Sequence, residues 1–168
     1  NKLFYNSYSI GIIQFFNILI VITKWYKLIY MEKKLKKCIW ERIRREAEAH
    51  SKIDTLLEAF LNDTILSRKS LEDALSYHLS NKLHSEVLSG KSIKNVIDYA
   101  IKNDKSISSS ICCDLEAIFN RDAAANEYLT PLLFYKGFHA IQSYRIAHFL
   151  WSKGNKMLAF YFQNRISE

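Results

Sequence analysis

The stretch Tyr128-Leu129-Thr130-Pro131-Leu132-Leu133-Phe134-Tyr135-Lys136-Gly137-Phe138-His139-Ala140-Ile141-Gln142-Ser143-Tyr144-Arg145-Ile146-Ala147-His148-Phe149-Leu150-Trp151 decides how this chain folds. It holds the chain's one proline, Pro131. Thr130-Pro131 reads as a helix start, with threonine as N-cap and proline at the first helical position, where a missing N–H does no harm. Lys136-Gly137 reads as a break, and Phe138 to Lys153 as a second, longer helix. Ala140, Tyr144, Ala147 and Trp151 form one stripe at i, i+4, i+7, i+11. Ile146 and Leu150 lie on another face, and Phe138 and Ile141 on a third. A helix apolar on several faces is buried in its domain or in an oligomer interface. His139, Arg145 and His148, set into it, therefore need partners, because an unpaired buried charge costs several kcal/mol.

Working outward, 168 residues suffice to bury a core and are most simply one domain. Four glycines and one proline are too few for a sandwich or barrel with many tight turns, which points to helices. The net charge of +7 is spread among interspersed signs, so no nucleic-acid-binding stripe is expected. Cys38, Cys112 and Cys113 show no metal-binding spacing, and an odd count of this kind reads as buried, reduced thiols in a cytosolic protein.

Residues 1–30 differ from the remainder of the chain: Lys2, Lys24 and Lys27 are their only charges. The apolar run Ile10–Ile22 contains Gln14 and Asn17 and is shorter than the roughly 20 residues of a spanning helix. It lacks the basic start and small-residue cleavage site of a secretory signal. The readings are a weak membrane anchor, a buried or frayed leader helix, or translated sequence upstream of a true start at Met31. The last two are preferred, and a membrane partner is not expected. The organisation expected is thus a leader, 1–30, of unclear status, either a native leader helix or sequence upstream of the native start, then a helical domain, 31–168.

From Met31 the pattern is helical. Leu35, Ile39, Ile43 and Ala47 form a stripe, with Lys33, Lys34, Lys36 and Lys37 as a solvated end. Ile53 to Leu66 resumes it with Leu57, Phe60, Leu61 and Ile65. Ser70 is a good N-cap for a helix with Glu72 and Asp73 in its first turn and Ala74, Leu75, Leu79 and Leu83 inward. Ser92 is expected to cap the next, through Val96, Ile97, Ala100 and Ile101. Ile107 to Phe119 and Lys156 to Ile166 supply two more. With no strand-period alternation and no repeat, the expectation is an all-α, multi-helix domain of about seven to nine helices.

No P-loop, dinucleotide fingerprint, nucleophile elbow or His-Glu-x-x-His occurs. Of the histidines His50, His78, His84, His139 and His148, the last two lie nine apart on one helix and point in opposite directions. They cannot share a metal ion on that helix and read as hydrogen-bonded core or interface residues. Asp114 and Glu116 fall on different faces and are no catalytic pair. Asp122 stands where a helix gives way to a loop, between Arg121 and three alanines. A carboxylate there either holds an amine or hydroxyl of a small ligand or caps the following helix.

From about Trp40 to Glu168 the chain resembles the N-terminal helical domain of serine acetyltransferases (serine O-acetyltransferases). The segments that carry the resemblance are Trp40-Glu41-Arg42-Ile43-Arg44-Arg45-Glu46-Ala47, Ser70-Leu71-Glu72-Asp73-Ala74-Leu75-Ser76-Tyr77, Asn81-Lys82-Leu83, Asp114-Leu115-Glu116-Ala117 and Arg121-Asp122. The most specific are Tyr128-Leu129-Thr130-Pro131-Leu132-Leu133, Lys136-Gly137-Phe138-His139-Ala140 and Tyr144 to Trp151, then Gln163 to Glu168, which matches the join to the family's second domain. The resemblance implies an enzyme of cysteine biosynthesis that transfers acetyl from acetyl-CoA to L-serine, giving O-acetylserine. It implies an all-α domain followed by a left-handed β-helix of hexapeptide repeats. It implies a homo-oligomer, a hexamer built as a dimer of trimers, and a complex with O-acetylserine sulfhydrylase through a C-terminal tail. The expected compartment is the cytoplasm.

By the same resemblance Asp122 matches the aspartate of an Arg-Asp-Pro-Ala motif that contacts bound serine, with Ala123 in place of the proline. The family's catalytic histidine, its orienting aspartate and its acetyl-CoA groove are expected beyond Glu168. No catalytic residue, metal ligand or bound cofactor is therefore expected in residues 1–168, acetyl-CoA being the co-substrate of the complete enzyme, and this chain alone is expected to be inactive. The alternative is a stand-alone helical oligomerisation module, or a decayed enzyme fragment, with no substrate. Hexapeptide repeats in frame after Glu168 would separate the two. A chain lacking residues 1–30 is expected to stay soluble and to keep its helical circular dichroism and cooperative thermal transition; loss of that transition would refute a domain that begins at Met31.

Overall fold

The computed structural model of the chain describes the backbone of residues 2–166 and the side chains of 21–24 and 26–166. Among the described residues there are α-helices and no strand, in line with the all-α expectation. The helices are α1 (Lys2–Ser51), α2 (Thr55–Leu61), α3 (Leu71–Leu83), α4 (Gly90–Asn103), α5 (Lys105–Arg121), α6 (Leu129–Phe134), α7 (Lys136–Ser152) and α8 (Lys156–Ile166). A π-helical turn, Asn62–Leu66, continues α2. The expected join at Gln163 to Glu168 ends in residues that lie outside the described ones, as do the side chains of most of the apolar run Ile10–Ile22.

By compactness the chain divides into two units, Asn1–Lys37 and Cys38–Glu168. The helix expected to open at Met31 already runs from Lys2. In the first unit Val21, Tyr26, Leu28 and Tyr30 are exposed. Among the described residues no helix is long and apolar enough to cross a membrane.

The second unit is held by interlocking apolar stripes. Ile39, Ile43 and Ala47 of α1 are fully buried, as the spacing predicts. So are Leu75 and Leu79 of α3, Ile97 of α4, Leu115 of α5 and Phe162 of α8. Each of these leucine, isoleucine and phenylalanine side chains contributes about 1.5–3 kcal/mol by leaving water. α3 packs on α4 and α7 on α8, while α7 also meets α4 and α5.

Short polar side chains punctuate the helices. Asp54 Oδ1 accepts from the Leu56 N–H at 2.8 Å, and Ser70 Oγ from that of Asp73 at 3.2 Å. Asp104 closes α4 and caps α5, its Oδ1 accepting from the Ser106 N–H at 2.9 Å. Ser92, expected as a cap, is not one. The cap is Ser89, whose extended backbone frees its hydroxyl to accept the Ser92 N–H at 3.2 Å, and the helix starts at Gly90.

The expected start of α6 also moves. The helix begins at Leu129, so Pro131 stands third in it and Thr130 is no cap. A proline fits anywhere in the first turn because those N–H groups have no partner within the helix. The break falls at Tyr135, and Gly137 lies inside α7.

Of the three apolar faces of α7, the structure buries Ile146 and Leu150 together with Phe138, His139, Gln142 and Ser143; in the stripe Ala140, Tyr144, Ala147 and Trp151, Ala147 is buried while Tyr144 and Trp151 are exposed. With apolar residues all round, periodicity could not choose the inward face, and the neighbours α5 and α8 did.

His139 finds its partner in the core, beside a second buried histidine. His78 Nε2–H donates to the Leu133 carbonyl at 2.9 Å, and His139 Nε2–H to that of Leu132 at 2.8 Å. Carbonyls only accept, so both rings carry their proton on Nε2. The ring centroids lie 5.1 Å apart. Burial, with His139 and Lys82 nearby, pushes the His78 pKa down to about 4, and burial also lowers that of His139. Both rings therefore stay neutral in the fold while the unfolded chain takes up protons below about 6.5. The stability they contribute is fully present above that pH and is lost as pH falls, for His78 toward 4. Urea denaturation should give a protein about 2 kcal/mol less stable at pH 5 than at pH 7.5 from His78 alone. His78→Gln should flatten that dependence, and an unchanged slope would refute the assignment.

Candidate functional site

Asp122 ends α5. Its backbone N–H donates to the Ile118 carbonyl at 2.9 Å, and the residue then turns to an extended conformation. Its Oδ1 accepts the Ala124 N–H at 2.9 Å, and its carbonyl accepts the Ala125 N–H at 3.0 Å. The carboxylate thus organises the turn just after it, while the residue stays exposed to solvent. It does not cap α6, which starts seven residues later at Leu129. The cap on the following helix read from the sequence is therefore not formed: one oxygen holds the turn, and the residue is exposed.

The segment between α5 and α6 is gripped by a polar stripe of α1 that sequence reasoning did not single out. Glu46 Oε2 accepts the N–H groups of Tyr128 at 3.0 Å and Leu129 at 2.9 Å, the first of α6. Tyr128 itself provides no side-chain cap. A carboxylate there also meets the positive end of the helix dipole. The other Glu46 oxygen accepts from Arg42 Nε at 2.9 Å. The Arg42 guanidinium lies over the rings of Phe119, at 4.3 Å, and Tyr128, at 4.9 Å. Those two rings stack with centroids 4.6 Å apart. One turn further along, His50 Nε2 meets Glu127 Oε1 at 2.8 Å. The signal in the sequence was the spacing of Arg42, Glu46 and His50 at i, i+4, i+8, directly beside the apolar stripe.

The Tyr128 hydroxyl donates to Glu116 Oε2 at 2.7 Å. Burial and that carboxylate push the phenol up to about 12. Asp114, on the other face of α5, takes both prongs of the Arg145 guanidinium and the Gln142 amide from α7, the last at 2.7 Å. The two acids therefore serve separate contacts, as their spacing implied. Arg145 thus has its partner inside the domain. His148 is exposed, with the Tyr144 ring beside it at 6.1 Å. Between α5 and the α6–α7 junction lies an open cleft of about 650 Å³, walled by Ile118, Phe134, Lys136 and Ile141 among others. Asp122 does not line it.

A family model described as "Serine acetyltransferase, N-terminal" matches residues 39–143. The serine acetyltransferase of Haemophilus influenzae is 43% identical over 129 residues, which are 77% of this chain and 48% of that protein. The crystal structure of Neisseria gonorrhoeae serine acetyltransferase in complex with serine is 43% identical, with a TM-score of 0.75 over 77% of this chain and 54% of that one. A serine acetyltransferase solved in complex with CoA is 42% identical, with a TM-score of 0.76 over 79% of this chain and 56% of that one. The chain spans about half the length of the curated relatives it matches.

The frame behind the site makes a measurable contribution. Asp114→Ala strands a half-buried guanidinium and should cost about 1–3 kcal/mol in urea denaturation. Adding Arg145→Met should recover part of that loss, and strictly additive losses would show that the two groups do not interact.

Proposed function

The chain belongs to the serine acetyltransferase N-terminal family, and on that premise we propose that it is the helical part of an enzyme that acetylates L-serine with acetyl-CoA. The hydroxyl oxygen of serine forms a bond to the acetyl carbonyl carbon, the thioester C–S bond breaks, and CoA leaves as the thiol. A histidine of the hexapeptide-repeat domain, by family resemblance, takes the hydroxyl proton and passes it to the departing sulfur. The product, O-acetylserine, serves cysteine biosynthesis in the cytoplasm.

The role of this domain is to present Asp122. Its carboxylate meets the ammonium group of serine through a charge-assisted hydrogen bond and so orients the hydroxyl for attack. The observation that carries this reading is the exposed carboxylate on a turn that is itself hydrogen-bonded and anchored. The serine-bound relative of matching fold supports it further.

The oligomer we infer is the family's dimer of trimers, supported by the exposed aromatic face of α7 and α8, where Trp151 stands edge-on to Phe160 with ring centroids 5.4 Å apart. The complex with O-acetylserine sulfhydrylase is proposed on resemblance, through a tail beyond this domain.

Two substitutions separate charge from turn. In an enzyme that joins residues 31–168 to a family hexapeptide-repeat domain, Asp122→Asn keeps an oxygen for the Ala124 N–H and removes the charge. It should raise KM for serine about tenfold and leave KM for acetyl-CoA unchanged. If only Asp122→Ala does harm, and equally toward both substrates, the residue is a turn-maker and not a serine contact.

A further inference from the structure

We propose that Arg42, Glu46 and His50 of α1 are positioning residues that fix the Asp122 segment; the proposal rests on the reading of Asp122 as a serine contact. The three side chains share one face of α1 at i, i+4, i+8, and each grips a different part of the chain between Phe119 and Leu129. Arg42 covers Phe119, one turn before Asp122. It also donates from Nη2 to the Asn126 carbonyl at 3.3 Å, in mid-segment. Glu46 takes the Tyr128 and Leu129 N–H groups at the far end. His50 holds Glu127.

The segment needs such external support. Ala123 and Ala124 are exposed and, unlike proline, leave φ free. Within the segment, the Asp122 turn contributes two short-range hydrogen bonds, Ala124 N–H to the carboxylate and Ala125 N–H to the carbonyl. The ends of the turn are therefore set by what holds Phe119 and Tyr128, and both rings lie under one guanidinium. Glu46 is mostly buried, with 12% of its side chain exposed, so its two N–H contacts are shielded from competing water. Ile39, Ile43 and Ala47 lock α1 into the core. The stripe therefore ties Asp122 to the buried core of the unit through side chains that need never touch substrate.

The test is hydrogen exchange by mass spectrometry on the 168-residue chain, with α3 (Leu71–Leu83) as internal reference. Arg42→Ala and Glu46→Ala should speed exchange across 122–129 about tenfold and leave α3 unchanged. Glu46→Gln, which keeps an oxygen for the two N–H groups, should restore most of the protection at Tyr128 and Leu129. Unchanged exchange in 122–129, or a parallel rise in α3, overturns the proposal. Arg42 is partly exposed, so its variant keeps the fold even if Glu46→Ala does not.

The kinetic arm uses the repeat-completed enzyme. Arg42→Ala should raise KM for serine several-fold and spare KM for acetyl-CoA. If Asp122→Asn raises KM for serine and Arg42→Ala does not, positioning by α1 is refuted while the serine contact stands. If Asp122→Asn has no effect on serine, the serine reading fails on its own, and the exchange result still reports whether the stripe holds the segment.

Discussion

One carboxylate from α1 closes a helix that starts 83 residues later: Glu46 accepts the first N–H groups of α6. The physical constraint behind it is general. The first N–H groups of any helix have no partner within it, and burying them unsatisfied costs more than most single contacts contribute. At α3, α4 and α5 the adjacent residue meets this need. At α6 the preceding residue is Tyr128, which cannot, so the solution comes from another helix. A local end-effect thereby becomes a tertiary link, and the chain between α5 and α6 acquires a fixed exit. Arg42 sets the same carboxylate and covers both ring anchors, so one ion pair orders the whole neighbourhood of Asp122.

The core meets the opposite need at the other end of the same helix. His78 and His139 sit side by side and donate to two consecutive carbonyls, Leu132 and Leu133, near the end of α6. These carbonyls belong to the last turn of a short helix and would otherwise lack donors. Phe60 packs edge-on against His78 and stacks on Phe134, which brings α2 to the same place. α6 is thus capped at its start by an acid and at its end by two neutral imidazoles. These two histidines are thereby committed to structure.

Much of this was legible beforehand. The apolar stripe of α3 is buried as its spacing implied, and so are Ile39, Ile43 and Ala47 of α1, Ile97 and Ala100 of α4, and Ile111 and Leu115 of α5, while Leu35, Val96, Ile101 and Ile118 are half-buried. Ser70 caps α3 as expected. α7 was not legible in this way. Its apolar residues surround it, so the inward face was settled by the partners available, Asp114 for Gln142 and Arg145, and the Leu132 carbonyl for His139. Thr130-Pro131 misled because proline is tolerated throughout a first turn, which left the start of α6 open by several residues.

What the sequence determined by itself was the helical class, the order of the helices and the place of Asp122 at the end of one of them. Each of these depends on residues close together in the chain: periodicity, caps, and the scarcity of glycine and proline. The tertiary structure alone decided which face α7 buries, how α6 is capped, and what holds the segment that carries Asp122. Those depend on pairs such as Glu46 with Leu129 and Arg42 with Phe119, far apart in sequence and joined only when α1 packs into the core. A charged side chain on a helix surface carries no mark of whether it will face water or a distant backbone N–H. Only packing supplies that distinction.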